Sequence, residues 1–106
     1  MVNPGPAKKV GIYVGEDQQY QDHALYTVIL DFLFSHGVSG AHAVRSIAGF
    51  GTHHKMHTAR ILDLMVNLPV KVEFIESAEK VDEILPKLRE IVGTALIEVQ
   101  DTVVLK

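Results

Sequence analysis

The chain has 106 residues, 47% of them hydrophobic and 22% charged, with no cysteine and a formal charge of −3. Absence of cysteine excludes a disulfide framework and thiolate chemistry, and the scattered Lys and Arg residues lack the basic stripe of a duplex binder, so no nucleic-acid partner is expected. Such a length buries roughly two thirds of its unfolded surface in one core, so one domain over 1–106 is expected. The protein reads as cytoplasmic, because M-V-N-P-G-P-A-K-K is too short and polar for a secretory leader and no apolar run nears the ~20 residues that cross a bilayer.

Residues 8–14, K-K-V-G-I-Y-V, alternate Val10, Ile12 and Val14 with smaller or polar neighbours, the period of a half-buried strand. Leu25, Val28, Ile29, Phe32 and Leu33 then recur at helical spacing and predict a helix over 23–36. Asp22 stands where a side-chain cap would start that helix, and Gly37 where a left-handed turn would end it. Tyr26, Leu30 and Phe34 form a second apolar stripe beside the first, which suits contact with another subunit.

Residues 40–48, G-A-H-A-V-R-S-I-A, read as a second strand. From Pro69 onward Val70, Val72 and Phe74 alternate with Lys71 and Glu73, a third strand with one wet face. Ser77 is placed to cap a second helix, whose positions Val81, Ile84, Leu85, Leu88, Ile91 and Val92 hold helical spacing up to Gly93. Pro86 lies inside it and predicts a kink or a local gap in hydrogen bonding. Strand material follows at 95–99 and 102–105. The order β-α-β-β-α-β predicts an α+β ferredoxin-like βαββαβ sandwich, an antiparallel four-stranded sheet with two helices on one face. Its other face would be uncovered in a monomer, and a domain this small with so many aliphatic residues is expected to cover it with another subunit.

Between the second and third strands lies A-G-F-G-T-H-H-K-M-H-T-A-R-I-L, and residues 52–67 are expected to form a mobile loop. His53, His54 and His57 have spacing that could hold a metal on a helix, but no helix signal covers them and the glutamate of H-E-x-x-H is replaced by His54. Solvated loop histidines account for them as well. No serine stands in a G-x-S-x-G elbow. The acidic pairs Asp82/Glu83 and Glu76/Glu79 fall on or beside the second helix's polar face, so no catalytic residue is expected. Glycine at 49 and 51 permits backbone N–H groups to turn toward an anion, and Arg45, Lys55 and Arg60 lie near enough in sequence to add charge-assisted hydrogen bonds. A tight turn ending the second strand explains G-F-G equally. No Walker pattern is present.

The element order together with I-Y-V-G-E, the Tyr26-bearing helix, V-R-S-I-A-G-F-G, H-T-A-R-I-L, L-P-V-x-V-E and E-K-V-D-E-I-L-P resembles the PII-like superfamily of trimeric signalling proteins. Within it the closest likeness is to the branch called domain of unknown function 190, or uncharacterised protein family 0166. The resemblance implies a homotrimer binding an adenine nucleotide in clefts between subunits, at the base of a loop that engages a partner protein. A membrane transporter is a candidate partner by analogy, without insertion of this chain in the membrane. Gly49, Phe50, Gly51, His57 and Thr58 match the family's loop base, and Arg45 and Arg60 join them on charge and proximity. The glycine-rich G-D-G-K element and the C-terminal basic residues of PII proteins are missing, which favours AMP or ADP over ATP as ligand, with no required cofactor. The alternative is a metal-binding trimer using His53, His54 and His57.

Overall fold

The computed structural model describes residues 2–50, the backbone of 57 and 58, and residues 68–106. Four strands form the main sheet: β1 (Gly5–Gly15), β4 (Ala41–Arg45), β7 (Pro69–Glu76) and β8 (Leu96–Val104), in the order β4-β7-β1-β8. Every neighbouring pair is antiparallel. With α1 (Leu25–Ser35) after β1 and α2 (Ala78–Val92) after β7, this is the expected ferredoxin-like α+β sandwich.

The registers Val10↔Phe74, Ile12↔Val72 and Val14↔Val70 put the alternating apolar residues of the two central strands on one face. They share a core with Leu25, Ile29, Phe32 and Leu33 of α1 and with Val81, Ile84, Leu88, Ile91 and Val92 of α2, so both helices cover that face. Each such side chain contributes roughly 1.5–3 kcal/mol on burial. Tyr26 and Leu30, from the second stripe of α1, pack partly against this core, whereas Phe34 is 85% exposed.

The predicted Asp22 cap is corrected by the structure. Gln19–Tyr20 (β2) and His23–Ala24 (β3) form a small hairpin, and Gln21 and Asp22 make its two-residue turn with φ of 50° and 67°, the left-handed pair that matches strand twist. The helix therefore begins at Leu25 with Ala24 at its cap and no side-chain cap. Its other end is as expected: Gly37 has φ 78°, its N–H reaches Phe34 O, and Val38 N–H reaches Leu33 O, a Schellman closure.

The second strand is shorter than predicted and divided. It leaves the sheet after Arg45, Ser46 N–H donates to Pro69 O at 2.8 Å, and Ala48–Gly49 (β5) pairs instead with His57–Thr58 (β6). Ser77 caps α2 as expected, accepting from Lys80 N–H. The helix runs through Pro86 without a break. Pro86 is exposed, so the Asp82 carbonyl it leaves without an amide partner lies on the solvent side. The two predicted segments at the C-terminus are one strand, β8, paired with β1 from Leu96 to Val104.

Away from the helices the sheet is more polar than its composition suggests. One row across it is Val44, Lys71, Tyr13 and Leu96, and the next is His42, Glu73, Gly11 and Glu98. Only the flanks of this face, Val44 and Leu96, expose large aliphatic side chains in these rows.

Candidate functional site

The start of β7 organises the base of the 52–67 segment. Gly15 pairs with Pro69 and Arg45 with Val70, so the C-terminal ends of β1 and β4 flank the same three residues, Leu68 to Val70. Glu16 N–H donates to Leu68 O at 2.8 Å, and Gln18 closes the following turn through Gly15, its amide donating to Gly15 O and its side chain accepting from Gly15 N–H. Gln18 O in turn accepts from Leu25 N–H at 2.7 Å, which ties this turn to the first residue of α1.

Arg45 projects from the end of β4, and its Nε lies 2.8 Å from Glu16 Oε2. Both side chains are reachable from solvent, at 46% and 28% exposure. Two residues after Ser46 the chain enters the β5–β6 ladder, with Ala48 opposite Thr58 and Gly49 opposite His57. Gly49 and His57, eight positions apart in sequence, are thus direct backbone neighbours. A Cβ on Gly49 would meet Pro69 Cγ at 3.5 Å, ordinary contact, and its φ is outside the left-handed region. Neither internal packing nor backbone strain demands glycine there. Gly49 pairs in this ladder, while the anion nest was expected of it together with Gly51, which lies outside the described residues. Phe50, next along, is 55% exposed.

Of the predicted site residues, Arg45, Gly49 and Phe50 are therefore gathered at one end of the sheet, with the backbone of His57 and Thr58 beside them. Gly51 and Arg60 lie outside the described residues. So do His53 and His54 of the alternative metal site. Among the described residues no group of three potential metal-ligating side chains is present. Glu16 was missed as a site residue. It stands in the I-Y-V-G-E motif, but only the register that sets β1 beside β7, and β7 beside β4, brings it to Arg45.

A second polar cluster occupies the uncovered sheet face. Glu73 lies 2.9 Å from Lys71 Nζ and 3.4 Å from Lys9 Nζ, and His42 Nε2 is 3.6 Å from its other oxygen. The Lys71 hydrogen bond holds the Glu73 carboxyl below the usual carboxylate range, against some desolvation and with help from Lys9. Lys71 is raised in return, by Glu73 first and Tyr13 second. Tyr13 donates its hydroxyl to Glu98 at 2.7 Å. Positive and negative charges here are matched within the chain.

Comparison with known proteins agrees with this architecture. A UPF0166 protein of Methanocaldococcus jannaschii is 34% identical over 101 residues, covering 94% of this chain and 93% of its own length. A UPF0166 protein of Aquifex aeolicus is 31% identical over 82 residues, covering 77% and 78%. Among solved structures, CPII of Thiomonas intermedia K12 bound to ADP and bicarbonate superposes with a TM-score of 0.69 at 20% identity, covering 100% of this chain and 95% of that one. The same protein, described as a nitrogen regulatory PII-like protein and bound to ADP, AMP and bicarbonate, gives 0.66 at 19% identity with 95% and 94% covered. Likeness at that identity is one of fold. No helix among the described residues is long and apolar enough to cross a membrane. The family model for DUF190, described as Uncharacterized ACR, COG1993, matches residues 7–104, and this chain belongs to the DUF190 family.

Proposed function

We propose that this DUF190 protein is a PII-like regulatory protein, a homotrimer without catalytic activity that binds AMP or ADP in clefts between subunits. Its ligand site is built at the base of the 52–67 segment, and that segment serves as the surface read by an effector, for which a membrane transporter is a candidate. One observation carries the reading: the turn after β1, the end of β4 and the β5–β6 ladder converge on Leu68–Val70, which brings Arg45 and Gly49 to the same end of the sheet. A guanidinium at that end suits a phosphate, since charge-assisted bonds from such a fork are about twice as strong as neutral ones. The ADP and AMP bound by CPII, whose fold this chain shares, support an adenine nucleotide as the class of ligand. Gly49 fits the same reading, since no internal contact requires glycine there and a residue without a side chain admits close approach by a ligand or a neighbouring subunit.

Isothermal titration of the purified protein with AMP, ADP, ATP and cyclic nucleotides, alongside light scattering for the oligomeric state, tests this. The expected result is saturable binding of AMP or ADP to a trimer. No binding heat and no thermal shift at millimolar nucleotide, or a lone protomer at working concentration, overturns it.

A further inference from the structure

We infer that Glu16 is an internal competitor for the phosphate of the ligand, an affinity-setting residue that occupies Arg45 until a phosphate displaces it. The inference rests on the nucleotide reading above and adds a residue and a mechanism to it. Glu16 is not a chance surface neighbour. Its backbone is pinned by the Leu68 O hydrogen bond and by the Gly15–Gln18 turn, so its side chain starts from a fixed point beside the end of β4. Its oxygen meets Arg45 Nε at 2.8 Å. A carboxylate and a phosphate present the same planar or near-planar oxygen pair to a guanidinium, and Arg binds either in the same fork geometry.

Two anions therefore claim one cation, and the pair is exposed enough to exchange. An ion pair of this exposure is weakly held, so a nucleoside phosphate carrying more charge displaces it and a neutral nucleoside does not. Glu16 thereby sets a threshold on ligand charge and a ceiling on affinity. When displaced, its side chain leaves the guanidinium while its backbone stays fixed by Leu68, so the exchange is confined to the side chain.

The test is ADP titration of the full-length protein, its Glu16→Gln and Arg45→Gln variants and the double variant, at low and high sodium chloride. Glutamine keeps the size of Glu16 and its backbone bond, so E16Q is expected to melt within a few degrees of the parent. A Glu16→Ser variant serves as a second probe if it does not. ADP affinity of E16Q is expected to rise by about two- to fivefold at low salt, with the gain shrinking as salt screens the pair and falling away when Arg45 is also glutamine. Unchanged or weaker ADP binding by E16Q, or an equal gain in the Arg45→Gln background, overturns the inference while leaving the nucleotide reading standing. If neither the parent nor E16Q binds ADP, the nucleotide reading itself fails and the inference falls with it.

Discussion

A methyl group on Gly11 would lie 2.9 Å from Cε of Lys71 and 3.2 Å from Oε1 of Glu98. The bare backbone at Gly11 is what lets Lys71 fold across the uncovered sheet face toward Glu73, Glu98 and the Tyr13 ring. Both contacts are with the ends of flexible side chains, which can move. Gly11→Ala is accordingly expected to cost less than about 1 kcal/mol in urea unfolding, while the Lys71 amine, followed by NMR titration, moves back toward an ordinary lysine. A loss of several kcal/mol would mean that the network is rigid.

Glu73 makes the stability depend on acid. Its folded carboxyl titrates below its unfolded value because of Lys71 and Lys9, so its contribution is complete at neutral pH and is lost as pH falls below about 4.3 and through the folded value. Melting temperature against pH should fall more steeply in the parent than in Glu73→Gln below that point. Parallel curves would show that the ion pairs on this face contribute nothing to folding.

Glu76 is the buried charged residue among those described, 6% exposed, and it accepts from both the amide and the hydroxyl of Ser39 at 2.7 and 2.8 Å. Through these bonds the end of β7 holds the connection between α1 and β4. Glu76→Ala removes two charge-assisted hydrogen bonds and is expected to destabilise by about 1–3 kcal/mol; Ser39→Ala, which removes one donor and leaves the amide bond, should cost less. Chemical denaturation of the two variants orders them, and the reverse order would refute the assignment.

Ser77→Ala removes the side-chain acceptor from the Lys80 amide. The expected loss is about 0.5–2 kcal/mol, measurable as a lower denaturation midpoint at unchanged slope. No change would mean that α2 is held by its apolar face alone.

At the loop base, Gly51→Val is expected to abolish AMP and ADP binding in calorimetry while size and light scattering stay those of the parent. Binding that survives with native affinity would move the ligand site away from G-F-G.

The amino-acid order by itself determined the alternation of Val10, Ile12 and Val14, the helical stripes, the Ser77 cap and the Gly37 turn, because these are short-range properties: each depends on residues within about one helical turn or one pleat. Hence the sandwich was legible, and the resemblance supplied the closeness of Gly49 and His57 in the chain's fold. Asp22 misled because a two-residue hairpin and a helix cap both favour the same short polar residue, and only pairing of Gln19 with Ala24 chose between them. The break after Arg45, the opposition of Gly49 to His57 and the meeting of Glu16 with Arg45 were decided by the tertiary structure. Each of these depends on β7 lying between β1 and β4, a long-range register that sets far-separated residues side by side and leaves no periodic trace in either segment.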